Sequence, residues 1–532
     1  MKAFAALYDA LDRTTSTNAK VAAMSAYFST APPADAAWAL YFLTGRKIKR
    51  LIPSRVLWEL TREITALPEW LLEHCYAAVG DFAEAMALLV EHRAAAAGEG
   101  SDIPFAQWIE ERILPVKQMD ATAQRAAVLA WWEELDAAQS FVLNKIITGE
   151  YRVGASGTLV VRALAQAMGV AQSTMADRVM GDWTPTAGFF ASLREEAPAG
   201  NVGSRPYPFF LASPLEQQVE SLGPREEWLA EWKWDGIRAQ VVRRGGEVFL
   251  WSRGEELVTE RFPEVAAAAL ALPDGVVIDG EILAYREAVL PFAILQTRIG
   301  RQKLTPRILD EAPAALMAYD LIEDRGDDIR AAPLVERRAR LVSHLSSGPA
   351  AFLLSPLVTA PTWPALAEER LQARARNVEG LMLKRFSSPY ASGRRRGDWW
   401  KWKIDPYTMD AVLLYAHPGH GRRASLFTDY TFAVWDEGAL VPVAKAYSGL
   451  SDAEIQELDA WVRRNTREKF GPTRAVDPVR VFEIAFEGIA ESKRHKSGVA
   501  VRFPRIARLR PDKPASEADT LDSLKALLGL SR

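Results

Sequence analysis

The residues best suited to covalent chemistry lie in EWKWDGIR, Glu231 to Arg238, where a lysine, an aspartate-glycine pair and an arginine keep fixed spacing beside an expected hairpin. Lysine attacks an electrophile only as the neutral amine. A lysine of ordinary pKa, about 10.4, is almost wholly protonated at neutral pH, so burial, nearby cations or a metal must favour the uncharged form. Arg238, Arg253, Lys401 and Lys403 are cations that could supply this. Taken alone, the segment also reads as charged residues on a strand, with Asp235-Gly236 serving only as a tight turn.

The segment does not stand alone. Downstream come SRG at Ser252 to Gly254, DGE at Asp279 to Glu281, AYD at Ala318 to Asp320, EGLMLK at Glu379 to Lys384 and WKWK at Trp400 to Lys403. This ordered set resembles the covalent nucleotidyltransferases, which include ATP-dependent DNA ligases and mRNA capping enzymes. The resemblance implies that Lys233 attacks the α-phosphate of ATP and carries AMP. Glu231 matches the acceptor for the adenine amino group and Tyr319 the aromatic that stacks on the base; for Tyr319 an ordinary core aromatic is the bland alternative. Arg238, Arg253 and Glu281 match positions on the ribose and phosphate side, where arginine offers a planar fork of donors. Glu379 matches the carboxylate that binds Mg2+, with Glu281 as a second metal-site carboxylate, because that ion prefers oxygen ligands and bridges phosphates. Lys401 and Lys403, two apart on one strand face, match the pair that contacts the α-phosphate. Arg395 or Arg396 matches a further nucleotide-contacting arginine, and both are carried.

Near the C-terminus RFPRIARLRPDK, Arg502 to Lys513, is similar to the ligase form of the last family motif, with Arg510, Asp512 and Lys513 as RxDK. The family places it on a mobile OB-fold domain, orienting the pyrophosphate of ATP; steering of a DNA backbone is the competing role. Asn144 to Gly169 resembles a stretch of the helical DNA-binding domain of larger ligases, and Phe42 to Arg50 adds basic residues there. ESKRHKSGVAVRFPR is similar to the ligase C-terminal domain and gathers Lys493, Arg494, His495 and Lys496 in one loop. The implied function is an ATP-dependent DNA ligase of the bacterial three-domain type, acting in DNA replication, repair or recombination. Its substrates would be ATP and nicked double-stranded DNA bearing 5'-phosphate and 3'-hydroxyl ends, its cofactor Mg2+ and its state monomeric.

The elements that must position these residues change character along the chain. To about Arg194 the sequence reads as helical: Val128, Trp131, Leu135, Ala138, Val142 and Ile146 recur at spacings of three and four, as one apolar helix face. Glu195 to Pro208 gathers proline, glycine and serine and marks a linker. Beyond it IRAQVVRR, Gly245-Gly246 and EVFLWSR read as a hairpin, GVVIDGEILAY, ALMAYDLIE and EGLMLKR as strands, and PEVAAAALAL as a helix. After Lys403 a β-rich region with an inserted helix over SDAEIQELDAWVRRNTREKF suggests a small barrel. The expected fold is multidomain: an all-α DNA-binding domain over 1–200, an α+β nucleotidyltransferase (adenylation) domain over 201–404 and a β-barrel OB-fold domain over 405–532.

Composition sets the outer bounds. At 532 residues the chain exceeds one core's worth. With 49% apolar and 25% charged residues it belongs to the globular class. The formal charge of -3 argues mildly against a nucleic-acid binder overall, so local basic patches matter more. No run of about twenty apolar residues signals a membrane span, and acidic residues in MKAFAALYDALDRT argue against a secretory signal, so the expected location is the bacterial cytoplasm. Cys75 is the only cysteine, which excludes the four-cysteine zinc site that NAD-dependent ligases normally carry. A GTP-using capping enzyme fits the front helical region, Glu231 and RPDK poorly. An RNA ligase and a catalytically dead nick-binding protein complete the alternatives; labelling with α-labelled ATP separates the last from an active enzyme.

Overall fold

A computed structural model describes the chain except residues 15, 94–99, 150, 152, 196–201, 300, 302–303, 347, 420–424 and 531–532. The short alanine run at 94–97 and most of the proline- and glycine-rich centre of the expected linker lie outside the described residues. Two compact units form. One comprises Met1–Ala163, Pro185–Ala187 and Pro406–Arg532, the other Leu164–Thr184 and Gly188–Asp405. No helix among the described residues is long and apolar enough to cross a membrane.

The N-terminal part of the first unit is helical, as its periodicity predicts. The single face drawn through Val128 to Ile146 is two helices, Ala121–Glu134 and Ala137–Thr148. Asp136 causes the break: it leaves helical geometry (φ -70, ψ 171) and accepts the Gln139 N–H, capping a new helix. Val128, Trp131, Leu135, Val142 and Ile146 are buried, whereas Ala138, just past the cap, faces solvent.

The C-terminal part is a seven-stranded sheet curled into a half-barrel, an OB-like fold. Its long strand Tyr407–Pro418 changes partners along its length: residues 407–412 pair with Val481–Phe486, and residues 412–418 with Phe427–Asp436. A strand shared this way bends the sheet on itself. The expected helix is present over Asp452–Arg464, opened by a capping box of Ser451 and Glu454. Its expected tail, TREKF, is instead the strand Thr466–Phe470, because Asn465 leaves the helix and the segment pairs with Thr473–Val476.

The second unit carries the motif strands, labelled here in chain order: β1 Trp228–Trp234, β2 Ile237–Arg244, β3 Glu247–Ser252, β4 Val276–Ala284, β5 Ala314–Asp324, β6 Val378–Arg385 and β7 Trp399–Lys403. The hairpin of β2 and β3 turns at Gly245 and Gly246, both at positive φ (60 and 82), where glycine is free of strain. One sheet runs β3-β2-β4-β5, and a smaller one places β6 between β7 and β1.

Behind β5, Asp320 and Arg337 form a fully buried ion pair, at 2.8 and 2.9 Å, and Arg337 also donates to the carbonyls of Ala332 and Ser388. Cutting one partner out of such a pair strands the other's charge. Asp320→Ala is therefore expected to cost about 3–5 kcal/mol of stability, read from the urea midpoint. A loss under about 1 kcal/mol would mean that the carbonyls alone satisfy Arg337.

Candidate active site

Side-chain alternation decides which motif residues meet. On the small sheet, Trp228, Ala230, Trp232, Leu381, Leu383 and Trp400 pack into one apolar cluster. The alternate positions put Glu231, Lys233, Lys384, Trp399, Lys401 and Lys403 on the other face. On the large sheet, Ala239, Val241, Ile278, Ile282, Leu316 and Ala318 face its own helices. That leaves Arg238, Asp279, Glu281 and Tyr319 on the opposite face. Phe210, Val242, Val277, Tyr390 and Trp399 join the two sheets in a shared apolar cluster. The polar residues line the cleft between the sheets.

Two motif glycines bring these walls together. A Cβ on Gly236 would lie 2.4 Å from the carbonyl oxygen of Ile282, so the turn after Lys233 seats directly on β4. Gly380, at φ +133, sits where the pairing of β6 with β1 bulges, and on its other side, against β7, a Cβ would lie 2.4 Å from the Trp402 oxygen.

Beside this bulge the Lys233 ammonium donates to Glu379 Oε2, and Lys403 Nζ stands 3.4 Å from the same oxygen. Burial pushes the Glu379 carboxyl up, but Lys233 and then Lys403 outweigh it and hold it below its ordinary value. Lys401 is shifted down, chiefly by burial and then by the charges of Arg394, Lys233 and Lys403. Across the cleft, burial raises Glu281 to about 7, against the pull of Lys233 and Arg238 and with the push of Asp279 and Glu379.

Arg238 is fixed by Asp279, with Nε 3.2 Å from Oδ1 and Nη2 2.7 Å from Oδ2, and it donates to the Phe210 carbonyl at 2.7 Å. The Tyr390 hydroxyl donates to the same Asp279 oxygen at 2.6 Å. Burial lowers the Arg238 affinity for its proton, and Asp279 more than reverses this. Tyr319 is 9% exposed, with its hydroxyl 3.4 Å from the Gly280 carbonyl and the Lys384 ammonium 4.2 Å from its ring centre. Glu231 is 1% exposed and ion-pairs with Lys384 and, at 3.6 Å, with Arg338.

Lys233, Glu231, Arg238, Glu281, Tyr319, Glu379, Lys401 and Lys403 thus converge. Arg253 is exposed at the end of β3, its N–H bonded to the Arg238 carbonyl at 3.0 Å. Arg395 and Arg396 are exposed in the turn before β7, and Arg396 pairs with Glu216 at 3.4 Å. The arginine whose charge bears on Lys401 is Arg394, which the motif spacing did not single out. Asp279, Lys384 and Tyr390 were also missed. The first two lie inside DGE and EGLMLK at alternating positions, a readable signal; Tyr390 lies in no motif.

Arg510 and Lys513 belong to the other unit. Both hold Asp410, Arg510 Nη1 and Lys513 Nζ each standing 2.8 Å from Oδ2, and Arg510 also pairs with Asp512 at 2.9 Å. The hydrogen bond to Asp512, followed by Asp410, raises the Arg510 value, and Arg510 draws Asp512 down to about 2. In the helical part, Lys145 is buried against Asp81, so this lysine of the Asn144–Gly169 stretch is internal. Lys47, Lys49 and Arg50 are exposed, on a loop joined to Ile147 by backbone bonds from Leu51 and Ile52. Lys493, Arg494, His495 and Lys496 are exposed between the paired strands Gly488–Glu491 and Val499–Arg502.

Three family profiles match: "ATP dependent DNA ligase domain" over 210–403, "DNA ligase N terminus" over 1–165 and "ATP dependent DNA ligase C terminal region" over 423–513. The "Probable DNA ligase" of Koribacter versatilis (strain Ellin345) is 32% identical, spanning 98% of this chain and 95% of that protein. The "DNA ligase 1" of Korarchaeum cryptofilum (strain OPF8) is 30% identical, over 99% and 98% respectively. Among solved structures, "Pmar-Lig_PreS3" matches 95% of this chain and 99% of its own with a TM-score of 0.61; at 15% identity this supports the fold alone.

Proposed function

Because the chain belongs to the ATP-dependent DNA ligase family, we propose that Lys233 is the residue through which it joins DNA at the expense of ATP. The reading rests on one observation: Lys233 is held by Glu379 among Lys401 and Lys403, opposite Glu281 and Arg238. Attack by the Lys233 amine on the α-phosphorus forms an N–P bond and breaks the P–O bond to pyrophosphate. The proton leaves the nitrogen for solvent, and Glu379, which accepts from the ammonium beforehand, orients the amine. AMP then passes to the 5'-phosphate at a nick, and the neighbouring 3'-hydroxyl displaces it.

Each displacement spreads negative charge over phosphate oxygens, and fixed cations that need not reorganise are the effective stabilisers. Lys401 and Lys403 take this role at the α-phosphate. Arg238, immobilised by Asp279, and Arg253 hold the ribose and phosphate side, with Arg395 or Arg396 as a further contact. Tyr319 stacks on the base and Glu231 accepts from its amino group. Glu379 and Glu281 fit Mg2+, which needs only one or two carboxylates beside phosphate oxygens; Glu281, undercompensated to about 7, gains from an added cation. When bound, the ion would offset charge on the phosphates.

The domains are read as 1–200, 201–404 and 405–532, with a monomer in the bacterial cytoplasm holding duplex DNA by its backbone, since a nick occurs in any sequence. The exposed lysines and arginine of 47–50 and the loop of 493–496 are the phosphate-facing candidates. Incubation with ATP and Mg2+ should raise the intact mass by one AMP; an unchanged mass retires the reading.

Deleting residues 1–163 should leave this adduct forming while nick sealing at physiological salt falls by roughly 10^3, a loss that grows with ionic strength as counterion release requires. Equal sealing by the truncated chain would remove DNA binding from the helical part. Deletion to residue 200 goes further, taking Asp177 from Arg330, 3.0 Å away. That variant should melt about 2–4 °C lower than the 1–163 deletion.

A further inference from the structure

Glu231 is an unusual carboxylate. It is 1% exposed, and neither oxygen has a hydrogen bond of normal geometry among the described residues. A buried carboxylate without compensation is costly, and here the compensation comes from two buried cations, Lys384 and Arg338. Lys384 is the closer of the two and equally enclosed, 1% exposed, with its ammonium 4.2 Å from the Tyr319 ring centre and 4.3 Å from that of Trp399. It too lacks a hydrogen bond of normal geometry among the described residues. Among the described residues its close anionic partner is Glu231, and its cation rests on the two rings.

We propose that Lys384 is a positioning residue for base selection: buried between Glu231 and the rings of Tyr319 and Trp399, it sets the Glu231 carboxylate as an acceptor for a purine bearing a 6-amino group. The proposal rests on the reading of Glu231 as the base-contacting residue. An acceptor at this position attracts the N–H donors of a 6-amino purine and repels the carbonyl oxygen that guanine carries there. Lys384 acts through Glu231 rather than on the nucleotide. With its charge gone, Glu231 is left with Arg338 alone, and its orientation is no longer determined by an adjacent cation.

The test compares ATP with purine riboside triphosphate, which lacks the 6-amino group, by the half-saturating concentration and maximal rate of adduct formation. Lys384→Met should raise the half-saturating ATP concentration roughly tenfold, the loss of about one charge-assisted hydrogen bond, with little change in maximal rate. The values for purine riboside triphosphate should match those of the unaltered enzyme, and Lys384→Arg, which keeps the charge, should recover most of the ATP binding. Equal losses on both nucleotides, or a loss confined to maximal rate, would overturn the proposal, since either result places Lys384 at the phosphates or in the fold. If Lys384→Met does not fold, Arg338→Met gives the same comparison: an ATP-only loss supports the shared role and an equal loss overturns it. Glu231→Gln separates the underlying reading. If it treats the two nucleotides alike, Glu231 does not read the base; if it discriminates while Lys384→Met does not, only the role of Lys384 is lost.

Discussion

Lys233→Arg abolishes the covalent AMP adduct while leaving the protein folded, with a loss on the order of 10^6 as for other covalent nucleophiles. Guanidinium stays protonated at any working pH and offers no free electron pair to phosphorus. Its length and charge still satisfy Glu379, so the ion pair that anchors the end of β1 survives. Sealing of a nick that already carries 5'-AMP should fall by no more than roughly tenfold, because the amine has no bond to make in that step. Label persisting on the arginine variant, assayed with α-labelled ATP, would move the nucleophile elsewhere. Lys401 and Lys403 would then be the next to replace.

If RxDK orients the pyrophosphate of ATP, as the resemblance implies, replacing Arg510 and Lys513 together with alanine should slow pyrophosphate release about 10^3-fold or more. Sealing of pre-adenylated nicks should stay near the unaltered rate. If RxDK grips the DNA backbone instead, the double variant shows normal adduct formation, poor sealing and a shallower salt dependence. Asp410 adds a control. It holds both cations at 2.8 Å, so its own half-reactions reveal whether these side chains must be aimed as well as present.

Much of the cleft was legible because strands have a period of two. Lys401 and Lys403, or Asp279 and Glu281, must share a face wherever the sheet goes, and the hairpin glycines announce the turn that returns β3 beside β2. What alternation cannot say is what stands opposite. That Lys384 faces Glu231, or that Tyr390 reaches Asp279 from 111 residues away, depends on how two sheets pack. The helical part shows the complementary failure. The three-and-four spacing runs through Asp136 without interruption, and only a capping hydrogen bond, weak in the sequence pattern, breaks it. Within the Asn144–Gly169 stretch, Lys145 is neutralised by Asp81, a partner no local pattern names.

Gly236 and Gly380 carry no chemistry, yet each leaves only 2.4 Å between a would-be Cβ and a backbone oxygen that cannot move aside as a side chain could. In a saturation scan scored by survival on ligation alone, these two columns should be as blank as that of Lys233. The difference would appear in a scan scored by abundance, where substitutions at Lys233 are tolerated and those at the glycines are not. Comparing the two maps separates the groups that react from the empty volumes that let them meet.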